Sequence, residues 1–152
     1  MMSKTVLGLF TAGVLALGLS SAAMADAKAA IEAREACMKA NGAMMKVMVP
    51  VLKGQAAYDK AAIDAAVAGA EKACAGWADW WGEDTKPGGA LKTEAKLEIW
   101  TDKEGFAAAG EAYVKAITAV KATADEASFK AAFPALGKSC QGCHEKFRQA
   151  ED

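Results

Sequence analysis

In four stretches of this chain, apolar side chains recur in alternating steps of three and four residues, which commits each stretch to a helix with one buried face. The C-terminal stripe is the longest: Phe129, Phe133, Leu136, Cys140, Cys143 and Phe147, on a helix expected over about 126–149. Ile63, Val67, Ala70, Cys74, Trp77 and Trp81 form a second, continuous stripe behind Asp59, a good N-cap. Phe106, Gly110, Tyr113, Ile117 and Val120 form a third, after a first turn over 94–100 and a cap at Asp102. The first helix is expected over about 27–53, with Pro50 as a kink and Gly54 as the stop. The longest break, 82–93, holds Pro87-Gly88-Gly89 and reads as a surface loop. Short links make the first and second helices, and the third and fourth, antiparallel neighbours. The expected fold is all-α, an antiparallel four-helix bundle. Breaks at Gly54, Pro87 and Asp125 argue against an extended coiled coil.

Lys4, an apolar run over 6–19 and Ala23-Met24-Ala25 together form a secretory leader with an A-x-A cleavage site. Residues 1–25 are expected to be removed, leaving 26–152 as a single domain in the bacterial periplasm. A membrane anchor is the competing reading of the same run, which is too short to span a bilayer and has no apolar successor, so no stable membrane insertion is expected. The net charge of −1, from 18 basic and 19 acidic side chains, gives no basic face for nucleic acid.

Cys140-Gln141-Gly142-Cys143-His144 is the pattern by which haem c is attached covalently, and the stripe puts both cysteines on the core side of their helix. Two thiols at this spacing add to the two haem vinyl groups, and the adjacent imidazole becomes the proximal iron ligand. His144 is the only histidine in the chain. A redox dithiol normally stands at a helix start beside a strand, which this chain lacks. Zinc would have to recruit Cys37 or Cys74, and neither belongs to a knuckle-like pair. One covalent haem c, bound through Cys140 and Cys143, is the expected cofactor.

Cys37 and Cys74 lie at matching distances on either side of a turn near Gln55. If the first two helices fold back there, both thiols reach one level of adjacent helices, and pairing is the default in an oxidising compartment. Two independently buried thiols are the alternative if either side chain points away.

The chain resembles the class II cytochromes c, the group of cytochrome c-prime and its low-spin relatives. The likeness rests on Ala33-Arg34-Glu35-Ala36-Cys37-Met38-Lys39 with Asn41-Gly42 and Met44-Met45, on Ile99-Trp100, and on Gly137-Lys138-Ser139 followed by the C-Q-G-C-H motif and Glu145-Lys146-Phe147-Arg148. It covers essentially all of the mature chain and implies haem between the helices of the bundle. It also implies that the residue opposite His144 is Met38, four positions after Arg34. Helical spacing puts Met45 on the same face, which makes it the runner-up. Met44, Met45 and Met48 also read as core filler. By the same resemblance Arg34 reaches a haem propionate, and Arg148 lies on the proximal side, against the imidazole or a propionate. Spacing alone leaves Arg34 as a solvated cation and Arg148 as a favourable charge at a helix C-terminus. Trp77, Trp80, Trp81, Trp100 and Phe147 supply rings that can wall the haem or simply fill the core.

The context of Met38 is closer to the low-spin, cytochrome c-five-five-six type. It implies a carrier of single electrons between periplasmic or membrane-bound redox proteins, acting as a monomer or homodimer. The alternative is five-coordinate iron that binds nitric oxide or carbon monoxide. No enzymatic activity is expected, because there is no second histidine and no carboxylate–histidine pair.

Overall fold

The computed structural model describes residues 16–150, with side chains from residue 23 onward, so most of the expected leader lies outside the described residues. Five helices follow one another: α1 (Ala16–Leu52), α2 (Lys60–Ala73), the single turn α3 (Glu98–Thr101), α4 (Lys103–Lys121) and α5 (Glu126–Phe147). Among the described residues there is no strand, only an isolated antiparallel bridge between Ala95 and Arg148. The four long helices form the bundle, α1 packed chiefly on α2 and α4 chiefly on α5.

α1 starts well before the expected residue 27, because the alanine-rich approach contains no proline and alanine is the strongest helix former. Its end is as expected: Pro50 falls in the last turn, and Gly54 takes the left-handed conformation at φ 68°, which favours glycine. Asp59 caps α2 by accepting from the Ala62 amide at 3.1 Å, and Asp102 caps α4 by accepting from the Gly105 amide at 2.9 Å. Asp125 and Ser128 form a reciprocal capping box at the start of α5.

The second stripe is not one helix. α2 stops at Ala73 with Cys74 as its C-cap, and Trp77–Asp79 is a separate 3-10 turn. Gly76 permits this bend: a Cβ there would lie 2.8 Å from the Trp80 indole nitrogen, so only glycine lets the ring fold back over the chain. Trp77 and Trp81 therefore leave the α2 face and join an aromatic cluster at the far end of the bundle. The 82–93 loop is also less superficial than expected, since Thr85, at the end of a second 3-10 turn, is buried.

Two apolar clusters result. The larger joins Met44, Met48 and Val51 of α1, Ile63 and Val67 of α2, Ile117 and Val120 of α4, and Phe129, Phe133 and Leu136 of α5. The smaller lies toward the C-terminal end of α5. It consists of Ala95, Ile99, Trp100 and Phe147, with Trp81, Phe106 and Cys143 packed on it.

The Asp125 carboxyl is held below its ordinary value of 3.8, first by the Ser128 amide and then by the Ser128 hydroxyl. A carboxyl depressed in the folded state contributes stability above the unfolded pKa and loses it as pH falls through the folded one. Asp125→Ala should therefore melt at a lower temperature than wild type at pH 7, and the gap should close below pH 3.8, as thermal unfolding followed by circular dichroism would record.

Candidate functional site

α5 carries Cys140, Cys143 and His144 in consecutive turns, and its packing divides them. Cys140 packs on the larger cluster and Cys143 on the smaller, so the two thiols face the junction between the cores, both half-buried. His144 follows at the margin of this junction, more exposed than either thiol. Its pKa is lowered by partial burial first and then by the Arg148 charge, which favours the neutral imidazole, the form that ligates. It borders a shallow hollow of about 300 Å³ shared with Lys96, Glu145, Arg148 and Gln149.

The end of α5 is anchored from outside. Phe147 O accepts from the Lys96 amide at 2.9 Å, and the Gln149 amide donates to Glu94 O at 2.7 Å. Arg148 Nε donates to a Glu94 carboxylate oxygen at 2.8 Å. Arg148 thus lies beside His144, with Glu94 as a partner.

Arg34 is not a solvated cation. It is only 6% exposed, and its guanidinium lies 4.0 Å over the Trp81 ring. Nε donates to Trp80 O at 2.9 Å, while Nη2 bonds Trp80 O and Thr85 Oγ1. Burial lowers its pKa to about 10, partly offset by Asp84. Arg34 Nη1 and Trp81 Nε1 are buried donors with no partner, an arrangement that costs energy until an acceptor fills it.

Met38 stands one turn after Arg34 on the same side of α1 and is 37% exposed, although its neighbour Cys37 is 1% exposed. Met44 and Met48 are buried in the larger cluster, and Met45 packs against it, so these three serve as core side chains.

Asn41 sits one turn after Cys37 and Met38. Its Oδ1 accepts from the Tyr113 hydroxyl at 2.6 Å, and its Nδ2 donates to Cys37 O at 3.0 Å. The Tyr113 pKa is pushed up to about 12, by burial first and then by Cys140 and Glu71, which marks Tyr113 as a neighbour of Cys140. α1 runs antiparallel to α5, so Asn41 lies near the level of Cys140 and Met38 is displaced toward Cys143 and His144. Sequence reasoning missed Asn41, Tyr113 and Thr85 as partners in this network. The available signal was a polar Asn41 on the apolar stripe of the first helix.

Cys37 and Cys74 form a disulfide between α1 and α2, with Cα atoms 4.8 Å apart. The four cysteines therefore divide into one bridged pair and the free pair Cys140 and Cys143. The bridge also removes the two sulfurs that a zinc site would need, and no cluster of three metal-ligating side chains occurs among the described residues. Two unpaired thiols at helical spacing, an adjacent neutral imidazole, and two partnerless donors suited to a carboxylate make a donor set that fits haem c.

The family model described as Cytochrome C' matches residues 29–148. The chain belongs to the cytochrome c' family. Among its relatives is cytochrome c-556 of Rhodopseudomonas palustris, 31% identical over 141 residues, spanning 90% of this chain and 93% of that one. The solved cytochrome c' from Rhodobacter Spheriodes superposes with a TM-score of 0.73 at 28% identity, over 82% of this chain and 98% of that one. A nitric oxide complex of a cytochrome c prime variant from Alcaligenes xylosoxidans does so at 0.70 and 30% identity, over 82% and 97%. Cytochrome c' proteins carry one covalently attached haem c, and the fold is theirs, a four-helix bundle. No helix of the described residues is long and apolar enough to cross a membrane.

Proposed function

We propose that this chain is an exported haem c protein whose Cys140 and Cys143 form the two thioethers, whose His144 ligates the iron, and whose distal face takes up nitric oxide or carbon monoxide. When bound, haem c supplies the iron that holds the gas. The residues of the chain then divide the remaining work. Arg34 Nη1 and Trp81 Nε1 offer two N–H groups to a propionate, Arg148 with Glu94 steadies the His144 side, and Met38 covers the distal side. The observation that carries this reading is the match to the cytochrome c' family over residues 29–148, with Met38 standing outside the core cluster that takes up Met44, Met45 and Met48. The nitric oxide complex of the Alcaligenes xylosoxidans relative supports the same reading.

Electron transfer is the second reading, favoured by the same thioether and by the likeness to cytochrome c-556. Met38 would then be a sixth ligand, and its loss would matter differently. If the distal face is open to gas, the ferrous wild type binds carbon monoxide and the oxidised protein lacks a sulfur-to-iron charge-transfer band. Met38→Ala then speeds carbon monoxide binding without changing the spin state. If the band is present, and Met38→Ala turns low-spin iron high-spin, the electron carrier is correct and its periplasmic or membrane-bound redox partners become the question.

Cleavage after Ala25 would make Asp26 the first residue of the shortened α1. An acidic group at that end complements the helix dipole. N-terminal sequencing of the periplasmic protein should begin at Asp26, and a protein retaining Lys4 would refute the cleaved leader.

A further inference from the structure

The Cys37–Cys74 bridge does not hold α1 against α2 where those helices already pack well. Met44, Met48 and Val51 meet Ile63, Val67 and Ala70 nearer the Gly54 turn, whereas the bridge sits at the other end of the pair, where α2 stops. At that point three features converge. Cys37 directly precedes Met38 on α1. Cys74 is the last point fixed to α2 before the segment whose Trp80 carbonyl and Thr85 hydroxyl clamp Arg34. Asn41 spans both sulfurs, its Nδ2 lying 3.3 Å from Cys74 Sγ and 3.7 Å from Cys37 Sγ, while Tyr113 on α4 holds its Oδ1. One bonded chain thus runs from α2 through the disulfide and Asn41 to Tyr113, beside the haem cysteine Cys140.

We propose that this disulfide is a redox-controlled restraint on the distal face: bridged, it holds Met38 over the haem, and reduced by a dithiol, it frees Met38 and opens the iron to small ligands. The proposal rests on the haem placement given under Proposed function.

The chemistry is ordinary thiol–disulfide exchange. Cys37 is 1% exposed and Cys74 is half-buried, so a thiolate of the reductant attacks Cys74 Sγ. The S–S bond breaks with its electron pair going to Cys37 Sγ, toward which the Asn41 amide can donate while the charge develops, and this sulfur then takes a proton. The second thiol of the reductant displaces Cys74, which is protonated in turn, and the reductant leaves as its own disulfide. Two electrons and two protons pass from the dithiol to the protein. The amide donor favours the leaving thiolate, so Asn41 makes this bridge easier to open than one packed only among apolar groups.

The test uses the holoprotein with its iron kept ferrous by ascorbate. Carbon monoxide association is timed before and after anaerobic treatment with dithiothreitol, and alkylation with mass spectrometry counts the thiols released. The reduced form should bind carbon monoxide roughly tenfold faster, within the usual range of coupling between two sites. The double variant Cys37→Ser with Cys74→Ser should match that rate and ignore the dithiol. Asn41→Leu should slow release of the two thiols. Equal association rates in the bridged and reduced wild type, with two thiols counted and helicity retained, would overturn the proposal, as would a bridge that excess dithiol cannot open in the folded protein. A protein with no haem, or one that takes up no carbon monoxide in either state or as Met38→Ala, would instead overturn the gas-binding reading beneath it.

Discussion

Replacing Cys140 and Cys143 together with alanine should abolish covalent haem attachment. Acid-acetone extraction of the wild type should leave the haem with the protein, because the thioethers survive acid, whereas coordination by His144 is lost once the imidazole protonates. The same extraction should strip the double variant completely. Each single variant should keep haem through its remaining thiol, and the two should differ. Cys140 packs against the larger cluster beside Tyr113, whereas Cys143 packs against the aromatic cluster of Trp100 and Phe147. Losing Cys143 should therefore disturb the ring packing near Trp81 and show in tryptophan fluorescence, while losing Cys140 should not. Normal loading of the double variant after extraction would refute the thioether assignment. The bridged cysteines cannot substitute, since their sulfurs are already joined on the opposite pair of helices.

The second large effect is on stability and lies away from the haem. Phe129 is fully buried in α5, with its ring centroid 5.9 Å from Tyr58 and 5.5 Å from Phe133. Tyr58 is itself fixed by donating to Thr123 O at 2.9 Å, so the surroundings cannot collapse far into a vacated space. Phe129→Ala should cost about 3–5 kcal/mol, the usual range for deleting a buried phenylalanine ring. Domains of this size are commonly stable by only about 5–15 kcal/mol, so the loss takes a large share of the total. Urea titration of the holoprotein should show the midpoint falling sharply. The haem spectrum of the folded fraction should stay unchanged, because Phe129 belongs to the cluster farther from His144. A shifted haem spectrum without loss of stability would mean that the two cores are not separate in the way their packing indicates.

Helix identity and the caps were legible from local chemistry. Asp59, Asp102, Asp125 and Gly54 mark helix ends because each satisfies or frees a backbone group within a few residues of itself, and no distant partner is needed to predict that. The haem motif was legible for the same reason: its thiols and imidazole lie within one and a half turns of a single helix. The pairing of Cys37 with Cys74 could be read because an antiparallel helical hairpin turns sequence distance from the turn into height along the axis.

What the sequence left open depends on contacts between segments far apart in the chain. The periodicity of Trp77 and Trp81 extends α2 on paper, yet the helix ends at Ala73, because Trp80 folding over Gly76 and the rings packing at the other end of the bundle outweigh local helix preference. Spacing alone left Arg34 as a solvated cation, and burial beneath Trp81 with the Trp80 carbonyl and Thr85 makes it an interior one with a donor to spare. Spacing allowed Met38 or Met45 to approach the iron, and packing sent Met44, Met45 and Met48 to the core but not Met38. The sequence by itself determined the helical stripes, their caps and the C-Q-G-C-H motif, all set by short-range chemistry, while hairpin geometry put Cys37 level with Cys74. Only the tertiary structure decided which polar groups are buried without partners and which methionines join the core, because desolvation depends on neighbours supplied by other helices.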